Sequence, residues 1–199
     1  MGKILSAIEG DTVAFTGRRP KDLVGYNKQS YEPFMSDLRV LVFELYCHGI
    51  RRFITGGAQG FDQLVFWAVY WLRKQYPDVE NIVYVPFKHQ PNRWLDSGLF
   101  SKHEYELMMK HKTSHKVIVP NCPMQQWAMV RAYEERNHQM VNDSNGLIGL
   151  YPDDQWRYNK GGTAECLRYA EIVNCPTLLL RYNITNDILR ATALERMGA

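Results

Sequence analysis

Short apolar runs alternate along this chain with longer stretches in which apolar positions recur every three or four residues. The first pattern is that of buried strands and the second that of amphipathic helices. Strands are predicted at 11–16, 52–55, 81–86, 116–120, 146–151 and 177–182. Helices are predicted at about 33–48, 60–75, 102–111, 124–143 and 163–174, with residues 185–197 as a short terminal helix. Phe34, Leu38, Leu41, Val42 and Leu45 form a clear stripe at helical spacing. The segment from Gly60 is apolar nearly all round, which predicts heavy burial or a subunit contact. Alternation of strands and helices specifies an α/β fold with a mainly parallel sheet. No repeat, low-complexity stretch or linker divides the chain, so residues 1–199 read as one domain.

Three strand-to-helix turns are rich in glycine. They are Val13-Ala14-Phe15-Thr16-Gly17-Arg18-Arg19-Pro20, Phe53-Ile54-Thr55-Gly56-Gly57-Ala58-Gln59-Gly60-Phe61-Asp62, and the strand ending at Tyr151 followed by Gly161-Gly162-Thr163-Ala164-Glu165. In an open parallel sheet such turns lie at the carboxyl ends of the strands, where ligands bind at the point of reversal in strand order. Glycine lets backbone N–H groups approach an anion, and the following helix presents its positive end. The turns therefore predict a pocket for a phosphate-bearing small molecule.

Gly56, Gly57, Ala58 and Gly60 are the first candidates for a phosphate cradle, with Asp62 placed to accept from ribose hydroxyls or to cap the helix. Thr16, Gly17, Arg18 and Arg19 bring two guanidinium groups to the end of the first strand, and arginine pairs bidentately with phosphate. Phe87, Gln90 and Trp94 follow the third strand, where an aromatic ring can stack on a base and an amide can read its edge. The segment 152–160, with Trp156 and Tyr158, is a candidate lid.

Composition narrows the class. The net charge of +3 comes from scattered Lys and Arg, which argues against a nucleic-acid partner because backbone binding needs clustered cations. No run is long and apolar enough to span a membrane, and the first residues lack a secretory pattern, so a cytoplasmic protein is expected. The four cysteines show no paired spacing, and Cys47 and Cys166 are expected as reduced core residues. The six histidines form no metal-ligand pattern, so no metal and no required cofactor is expected. His111 and His115 are expected to straddle a helix end.

The ordered set Phe15-Thr16-Gly17-x-Arg19-Pro20, Gly56-Gly57-Ala58-x-Gly60-x-Asp62, Val85-Pro86-Phe87-x-x-Gln90-x-x-x-Trp94, Arg136-Asn137 and Gly161-Gly162-Thr163 resembles the YpsA-like proteins of the SLOG superfamily. The resemblance implies a Rossmann-like three-layer sandwich with helices on both faces and a nucleotide ligand. That superfamily includes the "lonely guy" phosphoribohydrolases, DprA-type proteins and sensors of NAD-derived signals. In the phosphoribohydrolases a glycine turn supplies a catalytic glutamate and an arginine-bearing helix its partner. By resemblance those roles fall here to Glu165 and Arg136, with Asn137 where a lysine would stand and Gly161, Gly162 and Thr163 as ligand contacts. The turn is shorter in this chain, which brings Glu165 closer to the glycines.

Two functions are expected to compete. The first is a module that binds a nucleotide or an NAD-derived nucleotide, to sense or to sequester it. The second is an enzyme cleaving the N-glycosidic bond of a nucleoside 5′-monophosphate, in which a carboxylate stabilises the ribose cation and arginine holds the phosphate. A homo-oligomer, dimer or higher, is expected from the apolar helix that starts at Gly60 and from the superfamily relatives.

Overall fold

A computed structural model describes residues 8–152, 154–183 and 188–193. It shows seven strands in one sheet, in the order β4-β3-β2-β1-β5-β6-β7. The strands are β1 (Thr12–Gly17), β2 (Arg52–Thr55), β3 (Glu80–Val85), β4 (Ser114–Val117), β5 (Gly146–Leu150), β6 (Thr177–Asn183) and β7 (Ile188–Ala193). The first six are parallel, and β7 runs antiparallel to β6. The α-helices are α1 (Glu32–Cys47), α2 (Phe61–Arg73), α3 (Lys102–His111), α4 (Gln126–Asn142) and α5 (Gly162–Ile172).

The period-2 pattern of β1 divides the core. Val13 and Phe15 pack with Phe34 and Leu38 of α1 and Phe61 and Leu64 of α2 on one face. Ala14 packs with Met140 of α4 and Ala164 and Leu167 of α5 on the other. Helices thus cover both faces of a Rossmann-like α/β sandwich. The largely apolar α2 lies against α1 and, through Phe66, against Tyr105 and Met108 of α3, so its burial is accounted for within the chain. Its aromatic flank is also occupied: Trp71 lies under Arg39, and Tyr70 packs on His111.

Three expectations need correction. Residues 188–193 form β7 rather than part of a helix, because the open edge of β6 offers a hydrogen-bonding ladder running from Leu178↔Ala193 to Asn183↔Ile188. Residues 184–187 and 194–199, the rest of that predicted helix, lie outside the described ones. β4 begins two residues early, because Thr113 closes on Asn81 through both its amide and its hydroxyl and starts the pairing there. Cys47 is exposed, since it lies off the Phe34–Leu45 stripe at the end of α1, whereas Cys166 is buried as expected. His111 ends α3 and His115 lies in β4, so the pair does straddle a helix end.

Candidate functional site

β1 is paired on one side with β2 and on the other with β5, so strand order reverses there and the two carboxyl ends diverge. An open cleft of about 750 Å³ lies at this point. The β1 turn supplies Thr16 through Arg19 to its wall, and α5 supplies Gly161, Gly162, Thr163 and Glu165. From α4 come Arg136 and Asn137, one turn beyond Tyr133. The three glycine turns do not contribute equally. Of the turn after β2 only Ala58 and Asp62 line the cleft, and Gly56, Gly57 and Gly60 do not.

Those three glycines are set by packing. A methyl on Gly56 would lie 1.1 Å from Nη1 of Arg136, and one on Gly60 would lie 2.5 Å from the Arg18 carbonyl oxygen. Gly57 and Gly60 also have positive φ, 63° and 91°, which favours glycine. The positive end of α2 is already engaged. Phe61 N–H donates to the Arg18 carbonyl at 3.2 Å, and Ala58 N–H donates to Asp62 Oδ2 at 3.3 Å. Asp62 therefore occupies the place where the glycine pattern predicts a phosphate.

Asp62 in turn faces Arg136, with Nη1 to Oδ2 at 3.5 Å and both side chains buried. Burial pushes the Asp62 carboxyl above its ordinary value, against the pull of Arg136, Arg19 and the backbone N–H groups of Ala58 and Gly56. Nε and Nη1 of Arg136 make no hydrogen bond among the described residues. Both nitrogens are closed off from solvent, and the anion that the guanidinium faces is Asp62.

The α5 end of the cleft differs from the α2 end. Gly161 is the N-cap, with no side-chain cap, and no hydrogen bond among the described residues uses the N–H of Gly162 or Thr163. Helix starts leave such donors unpaired and carry a partial positive charge. Two side chains fix this end in place. Thr163 Oγ1 donates to the Gly17 carbonyl at 2.7 Å, and Asn137 Nδ2 donates to the Gly162 carbonyl at 3.0 Å and to Glu165 Oε2 at 3.1 Å. Glu165 also meets His138 Nε2, whose ring stacks on Tyr169 at 3.7 Å.

A family model described as the YspA SLOG family (YpsA) matches residues 13–183. The chain belongs to this YpsA family. A curated relative, the uncharacterized SPbeta prophage-derived protein YoqJ of Bacillus subtilis (strain 168), is 32% identical over 130 residues, covering 60% of this chain and 69% of the relative.

Within this YpsA-family cleft, charge is uneven. Arg18 pairs with Asp22 at 3.2 Å and lies over the Tyr151 ring. Arg168 is committed to the carbonyls of Trp156 and Asn159, at 2.8 Å each. Arg19, Lys21 and Lys160 form no ion pair among the described residues. Lys21, Lys160, Arg168 and Tyr133 join the site without a motif in the sequence to mark them. Lys160 was legible as the cation next to Gly161, and Tyr133 as the residue one helical turn before Arg136 and Asn137.

Phe87, Gln90 and Trp94 line a separate pocket of about 220 Å³ that shares Val130 and Tyr133 with the cleft. The candidate lid does not close over the site through Trp156, whose side chain is fully buried in the second core while Tyr158 is exposed. Cys166, next to Glu165, is no nucleophile: burial first, and then the Glu165 charge, push its thiol up to about 12.

Proposed function

We propose that this protein binds a nucleotide, or an NAD-derived nucleotide, at the carboxyl edge of its sheet and acts as a sensing or sequestering module. One observation carries the reading: an uncapped helix start at Gly161-Gly162-Thr163 lines the same cleft as Arg19, Lys21 and Lys160, which form no ion pair among the described residues. Helix N-terminal donors with nearby cations are the arrangement that phosphate oxygens use. Thr16, Gly17 and Arg18 line the cleft beside them, and Asp62 is the carboxylate there that would accept from ribose hydroxyls. Membership of the YpsA family supports a nucleotide-related ligand.

The test is to incubate purified protein with AMP, GMP, CMP, UMP, ADP-ribose, NAD and cyclic NAD-derived nucleotides. Each mixture is then followed by liquid chromatography with mass detection, before and after denaturing the protein. Intact ligand released only on denaturation is the expected result. If none is retained and none raises the melting temperature, the reading is wrong.

A second reading rests on Glu165, a carboxylate on the cleft wall held from two sides by Asn137 and His138. So held, it suits stabilisation of a ribose cation during loss of a base, with Arg136 leaving Asp62 to hold the substrate's phosphate. In that case free base and ribose 5-phosphate appear in the same mixtures. Glu165→Gln abolishes their release while leaving binding largely intact.

A further inference from the structure

The pocket behind Tyr133 has the features of a site rather than a packing gap. Gln90 is 4% exposed, and its Nε2 donates to the carbonyls of Gly57 at 3.1 Å and Gly56 at 3.4 Å. Two carbonyl oxygens can be satisfied only by the NH₂ side of the amide, so its orientation is fixed by the glycine turn. Oε1 is then left buried with no hydrogen-bond partner. Nε2 of His89, on the same pocket, is likewise buried and unpartnered. Buried polar atoms without a partner are costly, and a ligand donor or acceptor that reaches them removes that cost.

The remaining walls mix aromatic and soft side chains with Asn92, Arg93 and Gln126. His89 stacks on Phe87 at 4.5 Å, Tyr133 meets Phe87 edge-on, and Met129 and Trp94 complete the enclosure. At about 220 Å³ the pocket holds roughly seven times the ~30 Å³ share of one liquid water, which is room for a flat ring and not for a large group. Gln90 follows β3 and Gly161 follows β5, and these strands are three spacings apart, or roughly 14 Å. A ligand touching both ends must therefore carry its ring well away from its anion.

We infer that this pocket seats a nitrogen heterocycle that donates an amino or amide N–H to Gln90 Oε1, at the far end of a ligand anchored by its phosphate at α5. The inference rests on the nucleotide reading above and adds the chemistry that selects among nucleotides. Phe87, whose ring is already taken by His89 and Tyr133, shapes this pocket from behind rather than stacking on the base itself.

The test uses two ligand pairs that differ only in that donor, measured by calorimetry on the full chain. ADP-ribose is compared with its counterpart carrying purine, which lacks the 6-amino group. NAD is compared with its 3-acetylpyridine counterpart, in which a methyl ketone replaces the amide and the charge is unchanged. The expected result is that the donor-bearing member of at least one pair binds about tenfold more tightly, and that Gln90→Leu removes this preference. Equal affinities within both pairs would overturn the inference while leaving nucleotide binding standing. Absence of binding by all four would remove the nucleotide reading and this one with it. The comparison within each pair uses the unsubstituted protein, so it decides the matter even where Gln90→Leu folds poorly.

Discussion

Arg136 and Gly56 share one volume: the guanidinium Nη1 lies 1.1 Å from where a methyl on Gly56 would sit. The glycine is what allows the arginine to reach Asp62. Gly56→Ala would displace the end of the Arg136 side chain and weaken its buried pair with Asp62. The expected cost is about 3 kcal/mol or more, read from urea unfolding, because a broken buried pair costs far more than an exposed one. A cost below about 1 kcal/mol would mean that Arg136 can swing aside freely.

Gly162 is the opposite case. A methyl there would meet only Asn137 Nδ2, at an ordinary 3.7 Å, so the fold does not demand glycine. Gly162→Ala is expected to leave stability unchanged or to raise it by up to about 1 kcal/mol, since alanine favours a helix. Nucleotide affinity should nevertheless fall, because the methyl would stand between the α5 backbone and the phosphate. Paired melting and binding measurements check both halves, and unchanged affinity would move the phosphate away from this turn.

Arg19 and Lys160 line the cleft without an ion pair among the described residues. Arg19→Ala and Lys160→Ala should each leave the melting temperature nearly unchanged, as surface substitutions do. Each should weaken binding of a phosphate-bearing ligand several-fold and flatten its dependence on salt, because exposed charges act through a screened field. Titrations at low and high ionic strength decide it.

Asp143, at the end of α4, accepts from Tyr84 Oη at 2.6 Å, Lys116 Nζ at 3.0 Å and Gln139 Nε2 at 2.8 Å. Burial raises its pKa, but these hydrogen bonds and the Lys116 charge outweigh burial and hold it below the ordinary carboxylate value. A carboxyl lowered on folding stabilises the protein above its unfolded pKa and loses that contribution as pH falls through the folded one. Wild type should therefore be more stable than Asp143→Asn at neutral pH, by at most about 1 kcal/mol given its exposure. The gap should close on acidification below the ordinary carboxylate range, as followed by melting temperature against pH.

The sheet was legible because its signals are local. Val13 to Phe15 and Phe53 to Ile54 are apolar runs stopped by glycine, and the Phe34–Leu45 stripe has an unambiguous period. β7 was hidden because Leu189, Arg190, Ala191 and Ala193 are good helix formers, and the edge of β6 decides their state. The same limit applies in the site. Glycines at 56, 57 and 60 read as an anion cradle, but what demands glycine at 56 and 60 is Arg136 and the Arg18 carbonyl, contacts no local pattern reveals. Trp156 sits in a polar stretch that reads as a surface loop, and its full burial is a tertiary outcome.

The stretch that carries Trp156 is fastened on several sides. Arg168 holds two of its carbonyls, Asn159 Nδ2 reaches Tyr151 Oη at 3.1 Å, and Arg157 pairs with Glu171 at 3.0 Å. The wall leading to Lys160 and Gly161 is thus held by the chain's own contacts. Capture should then be a one-step encounter whose observed rate rises in proportion to ligand concentration, without the plateau that a closing segment would impose.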